Sequence, residues 1–221
     1  IKKIPTDLKA KLASCAVAGT SGTLLACKTN GEPIGNALPY FTSFPEYSKE
    51  ISELFYKEFP GKSSSGSVAR ALKLLDLYGN KIILRHQADW LRGWLLNNWD
   101  YGEEGNNVRM GWELSTKSWP ATFQNLNWLN CLPKIISSGK IIGNISNTKA
   151  KELDLPTNLK IIAGTTDSNA GVLATFPEKD DGITILGSTI VIKKFVKKPL
   201  SGKGISNHRL LGNWLCGGAS N

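Results

Sequence analysis

The sequence predicts an α/β protein: a mixed sheet with flanking helices, one domain followed by the start of a second. Three observations carry this prediction. Short apolar runs punctuated by Gly, Asn and Pro occupy residues 15–40, helical spacing of apolar residues dominates 44–96, and after residue 159 apolar strands return, the first running directly into a small-residue helix. With 221 residues and 41% hydrophobic content, the chain carries enough apolar material for a sizeable core.

Cys15-Ala16-Val17-Ala18 and Thr23-Leu24-Leu25-Ala26-Cys27 read as strands, and a third extended segment follows the turn Asn30-Gly31-Glu32-Pro33. The Asn-Gly pair is a hairpin signal because both residues tolerate positive φ. Ser43-Phe44-Pro45-Glu46 has the spacing of a capping box with proline at the first helical position, and Tyr47, Ile51, Leu54 and Phe55 follow at helical spacing, so a helix is predicted over about 44–58. Ser67 is predicted to cap a helix carrying Val68, Leu72 and Leu75, and a further helix is predicted over 86–96, ending at Asn97-Asn98. Residues 97–130, rich in Trp, Gly and Asn, read as a long irregular region with one short helix near 123–129.

Lys160-Ile161-Ile162-Ala163-Gly164 reads as a buried strand and 167–174 as a helix. The loop Pro177-Glu178-Lys179-Asp180-Asp181-Gly182 is the predicted boundary between a domain over 1–176 and a second over 177–221. Beyond it, strands are predicted over 183–186 and 190–195, joined by Gly187-Ser188-Thr189, and near 207–211 and 214–216. No internal repeat is visible.

Composition narrows the function classes. The four cysteines are far apart with no Cys-x-x-Cys pair, which argues against a zinc cluster or a disulfide framework and for reduced thiols in a cytoplasmic protein. No apolar run of about 18 residues predicts a membrane span, and no signal peptide is evident. The first residue is Ile1, not Met, which reads as a start inside a longer frame. Of the +9 net charge, residues 182–221 hold six basic residues and no acidic one. Without an aromatic-and-basic recognition motif this predicts no nucleic-acid partner; the stretch suits nucleotide phosphates or water equally. His86 and His208 are too separated in context to suggest a metal pair, and no metal ligand is predicted in the chain itself.

Three segments carry candidate chemistry. An apolar strand delivers Asp167 to the mouth of a helix, where ligands of α/β folds sit; the carboxylate could accept a hydroxyl proton, or simply cap the helix. Gly187, Ser188 and Thr189 form a turn whose amides and hydroxyls could cradle phosphate, or only close a hairpin. Gly19-Thr20-Ser21-Gly22-Thr23 offers hydroxyls that could contact a polyol, or only turn the chain.

The order of these pieces resembles the FGGY carbohydrate kinases, of the actin-like ATPase (ribonuclease H-like) fold. The resemblance runs through Ala37-Leu38-Pro39-Tyr40, Ser65-Gly66-Ser67-Val68-Ala69-Arg70, Gln87-Ala88-Asp89-Trp90, Leu132-Pro133-Lys134-Ile135-Ile136, Gly164 to Asp167, Leu186 to Thr189 and Gly217-Gly218-Ala219-Ser220-Asn221. Within that family the chain looks most like the cyanobacterial and plant D-ribulose kinase, or xylulokinase-like, branch. The resemblance implies phosphorylation of a sugar, D-ribulose first, by ATP with Mg²⁺. It implies Asp167 as general base, Gly187, Ser188 and Thr189 at the transferring phosphate, and Ser65 or Ser67, with Thr20 and Ser21, at the sugar. The family's Asp-x-Gly-Thr phosphate hairpin and its adenosine-contacting segments have no counterpart in these residues. A sugar-binding relative without turnover, and a basic interaction module, are the alternatives from other classes.

Overall fold

The computed structural model describes residues 1, 3–55, 62–178, 180–187, 190–202 and 204–220. After a short helix α1 (Thr6–Lys9), strand β1 (Ser14–Gly19) leads to β2 (Leu24–Cys27), then α2 (Ser48–Leu54) and α3 (Ser67–Tyr78). Strand β3 (Ile83–His86) runs straight into α4 (Gln87–Leu96), and β4 (Tyr101–Glu103) into the single turn α5 (Glu104–Asn107). Strands β5 (Lys134–Ile136) and β6 (Ile141–Asn144), helix α6 (Asn147–Leu153), β7 (Lys160–Thr166) and α7 (Asp167–Ala174) follow. The chain then forms β8 (Gly182–Leu186), β9 (Ile190–Val196), β10 (Ile205–Leu210) and β11 (Asn213–Ser220). Among the described residues no helix is long and apolar enough to cross a membrane.

A mixed sheet of order β1-β7-β6 pairs β1 parallel and β6 antiparallel to β7. A separate antiparallel sheet has order β10-β11-β9-β8. Helix α4 packs on the mixed sheet through Leu95, Ile145, Leu159 and Ile161, whereas α7 turns Val172 towards Ile183, Leu210 and Leu215 of the antiparallel sheet. The largest core gathers α2, α3, β2, β3 and the aromatic turns: Phe123 is fully buried, with Phe55, Trp119 and Trp128 around it at ring distances of 5.7, 6.1 and 5.6 Å. The tryptophan-rich stretch is therefore core.

Several sequence expectations are corrected. The third expected strand is not one: β2 pairs with β3 and meets the 33–38 segment through the isolated bridges Leu24↔Leu38 and Cys27↔Pro33. The Asn30-Gly31 turn does form, with Gly31 at φ +82°. The helix expected over 44–58 is a 3-10 turn (Pro45–Tyr47) followed by α2, and 56–58 lie outside the described residues. No side chain caps it; Ser43 instead donates its hydroxyl to Ser64 Oγ at 2.9 Å. The helix expected near 123–129 is two 3-10 turns, Ala121–Asn125 and Leu129–Cys131.

Candidate functional site

The parallel register decides which loops meet. Ala18 lies opposite Thr165 and Gly19 opposite Thr166, so both strands end at the same edge. Thr20 and Ser21 leave one strand there and Asp167 begins α7 from the other. The strands come unusually close: a Cβ on Gly164 would lie 1.9 Å from the Val17 carbonyl oxygen, beside the register shift between Ala16 and Ala18.

Asp167 is exposed at the first turn of α7 and is not its cap. Thr166 is: its hydroxyl accepts the Asn169 N–H at 3.3 Å. Asp167 Oδ1 accepts the N–H of Ser168 at 2.7 Å, leaving Oδ2 free of any described protein donor. From the antiparallel sheet, Lys193 on β9 reaches the same turn, donating to Ser168 Oγ at 2.8 Å and Asn169 Oδ1 at 2.7 Å. Burial pushes this ammonium down to about 8, and the Asp167 charge opposes that shift.

On the other side of the edge, Thr20 is held by Gln87 at the start of α4: Thr20 Oγ1 donates to Gln87 Oε1 at 3.0 Å, and Thr20 Oγ1 and Thr23 Oγ1 are 2.7 Å apart. The 20–23 turn is then fastened from below by Arg70. This arginine is fully buried and has no carboxylate partner among the described residues; it donates to four carbonyls, Gly22 (2.7 Å), Tyr40 (3.2 Å), Thr42 (2.7 Å) and Ser65 (2.9 Å). Burial, and to a smaller degree the Arg109 charge, lowers it to about 10, so it stays charged at neutral pH. One side chain thus joins the 20–23 turn, the 40–42 loop and the segment entering α3. A Cβ on Gly22 would lie 3.4 Å from Ser67 Oγ and 3.5 Å from Arg109 Cδ, which places both beside the turn.

Ser67 was expected as a helix cap; it is instead the first residue of α3 and points inward, sharing a 3.0 Å hydrogen bond with His86 Nε2. His86 is held neutral, lowered to about 4 by burial. Behind it, Asp89 accepts from Arg92 Nη1 (3.0 Å), the Glu103 N–H (3.0 Å) and Asn107 Nδ2 (3.0 Å), and Glu103 caps α5 by accepting from the Gly105 and Asn106 N–H groups, both at 2.8 Å. Burial raises Glu103 to about 8. This network braces Ser67 and the 3-10 turn carrying Arg109.

The structure therefore brings together Thr20, Ser21, Ser65 and Ser67 with Gln87 and Arg109, and sets Asp167 at the same sheet edge. Gly187 is exposed at the far end of the β8–β9 hairpin, with Ile190 roughly 10 Å along the strand from Lys193 at 3.3 Å per residue. Ser188 and Thr189 lie outside the described residues. Gln87, Arg109 and Lys193, none of them singled out as a candidate in the sequence, also lie beside the 20–23 turn or the first turn of α7. Lys193 occupies an inward position of the β9 alternation with Val191 and Phe195, a signal masked by the adjacent exposed Lys194. A groove lined by Glu50, Asp76, Asn80 and Trp128 shares none of these residues. Among the described residues no group of three or more His, Cys, Asp or Glu could hold a metal.

No protein-family model matches the chain. An 87-residue stretch, 38% of the chain, is 33% identical to YoaC of Bacillus subtilis (strain 168), whose name gives sugar kinase as an inferred activity, and covers 18% of that protein. The fold matches a carbohydrate kinase from Novosphingobium aromaticivorans (TM-score 0.77, 16% identity, 97% of this chain and 51% of that one). It matches equally a ligand-bound xylulose kinase from Lactobacillus acidophilus (0.77, 16%, 99% and 49%). A xylulose kinase from Rhodospirillum rubrum gives 0.78 at 14% identity, over 94% of this chain and 46% of that one. The fold is thus that of the actin-like ATPases, and the chain spans about half the length of these structures.

Proposed function

We propose that this chain supplies the sugar side of an ATP-dependent carbohydrate kinase of the FGGY type, with residues 1–176 as the sugar-binding domain and 177–221 as the beginning of the nucleotide-binding domain. The observation that carries the reading is the shared strand edge: an exposed carboxylate, Asp167, beside the hydroxyl-rich turn of Thr20 and Ser21. Its solved structural neighbours, carbohydrate kinases, support the same reading.

In this mechanism Thr20, Ser21, Ser65, Gln87 and Arg109 hold the polyol, the fully buried Ser67 supports them from beneath through its bond to His86, and Asp167 accepts the proton of the attacking hydroxyl. That oxygen bonds to the γ-phosphorus of ATP as the bond to the β-phosphate oxygen breaks, giving sugar phosphate and ADP. Oδ2 of Asp167 is the atom available for the proton, since Oδ1 already accepts the Ser168 N–H. Arg109 and Lys193 put positive charge on the side where phosphate charge develops. Mg²⁺ would arrive with ATP as part of the substrate; the described residues form no carboxylate cage for it. The turn at Gly187, Ser188 and Thr189 is assigned to the transferring phosphate.

D-ribulose is the proposed substrate, ahead of D-xylulose, with glycerol poor, because a site built to pair several hydroxyls leaves buried donors unpaired around a shorter polyol. ADP release measured over this panel, in a protein that completes the phosphate and adenosine segments, tests the reading. The expected order of kcat/KM is D-ribulose, D-xylulose, glycerol. A glycerol value equal to that for D-ribulose overturns the substrate assignment, and absence of ADP release with every sugar overturns the kinase.

A further inference from the structure

Lys193 is a costly residue in an unexpected place. It is 4% exposed, rooted in β9, and among the described residues its ammonium is bound by neutral oxygens, Ser168 Oγ and Asn169 Oδ1. Burying an ammonium against neutral partners costs several kcal/mol. A methionine could follow a similar path without that cost, so packing does not explain the choice. Both acceptors belong to the first turn of α7, immediately after Asp167, and the Ser168 N–H is the one that Asp167 Oδ1 accepts. Among the described residues, the charged and titratable groups acting on this ammonium or on its neighbour are these. Asp167 on α7 is the acidic one; His208 on β10, held neutral by burial and by the charges of Lys193 and Arg109, and Arg109 beyond it complete the set.

We propose that Lys193 is a positioning residue for Asp167: clamped to Ser168 and Asn169, its ammonium fixes the first turn of α7 to the antiparallel sheet and sets a positive charge beside the carboxylate. The proposal rests on Asp167 being the proton acceptor. Lys193 ties the sheet that carries the Gly187 turn to the first turn of α7, next to the carboxylate, in addition to the apolar contact that Val172 makes with the same sheet. When the sheet shifts, the first turn of α7 shifts with it.

Lys193→Met, Lys193→Arg and Asp167→Asn in the catalytically complete protein test this. Lys193→Met is expected to lower kcat by about tenfold to a hundredfold, the scale of a misplaced reacting group, with KM for the sugar little changed. Lys193→Arg is expected to recover most of that loss. Wild-type kcat/KM should fall above about pH 8 as Lys193 loses its proton, and the arginine variant should not, because a guanidinium keeps its charge there. An unchanged kcat in Lys193→Met, or the same fall near pH 8 in Lys193→Arg, overturns the proposal. If Lys193→Met does not fold, the arginine pH profile decides alone. A second readout needs no turnover: in the 221-residue chain, the Lys193 Nζ resonance should titrate at lower pH in Asp167→Asn than in wild type, and an unmoved titration also overturns the proposal. Full turnover in Asp167→Asn removes the base reading and this proposal with it. An inactive Asp167→Asn beside an unaffected Lys193→Met removes this proposal alone.

Discussion

Gly19 faces Thr166 across the parallel β1–β7 pair, so the residues that follow them, Thr20 and Asp167, leave the sheet side by side. No local signal states this adjacency, since the two residues are separated by most of the chain. It follows from strand direction: parallel partners end at one edge, and the loops leaving that edge converge.

Replacing Asp167 by Ala separates catalysis from folding. Because Thr166 caps α7, the substitution keeps the cap and removes an exposed acidic group at the helix N-terminus, worth about 0.3–1 kcal/mol, together with an exposed acceptor of the Ser168 N–H that water can replace. A general base is worth about a hundredfold to ten-thousandfold in rate. The expected result is loss of most turnover with a nearly unchanged melting temperature and intact sugar binding, read by ADP release, thermal melting and titration calorimetry. Turnover within a few fold of wild type would mean that Asp167 is not the base.

Arg70→Lys should be costly although charge is kept. A lysine ammonium has three donors and no planar fork, so it cannot serve the carbonyls of Gly22, Tyr40, Thr42 and Ser65 together. Leaving one or two of these buried acceptors unpaired costs about 2–4 kcal/mol. Urea unfolding should give a lower midpoint at unchanged slope, and sugar affinity should drop because the 20–23 turn loses its anchor.

Stability should respond to pH in two opposed windows. Glu103 rises from 4.5 to about 8 in the folded state, so between those values the folded protein binds more protons and stability falls as pH rises. His86 and His208 are lowered from 6.5 to about 4; the unfolded chain binds more protons in that window, and stability is lost as pH falls through it. Urea melts from pH 4 to 9 should therefore show less stability at both ends. Glu103→Gln should flatten the alkaline fall while lowering the whole curve, because the amide offers one acceptor oxygen where the two oxygens of the Glu103 carboxyl group accept three N–H groups. An alkaline slope unchanged in that variant would mean Glu103 does not carry it.

Gly164→Ala should act on the site from beneath. The added Cβ would sit 1.9 Å from the Val17 carbonyl oxygen, a contact that only a backbone shift relieves. Overpacking of this kind costs about 1–3 kcal/mol or more. Since Val17 and Gly164 precede Thr20 and Asp167 by three residues each, sugar affinity and kcat should fall together. A variant with wild-type melting temperature and kinetics would contradict the close approach.

The sequence by itself determined the elements whose signals are local. Helix α7 begins and ends as expected at 167 and 174, and the strands from 182 onward follow their apolar alternation, because period and flanking Gly or polar residues suffice for such segments. It also brought out Asp167 and the hydroxyls of Thr20, Ser21, Ser65 and Ser67 as candidates. Tertiary structure alone decided what those residues do to one another. A hydroxyl at the head of a helix reads as a cap, yet Ser67 bonds to His86 because the β2–β3 pairing brings His86 beneath α3. Arg70 drew no separate reading from the sequence and Lys193 only one as part of a basic stretch, yet both are buried where distant carbonyls and side-chain oxygens assemble around them. Propensity and capping act over a few residues, whereas strand order, burial and the pairing of buried charge depend on segments far apart in the chain; the folded arrangement settles which local preference prevails.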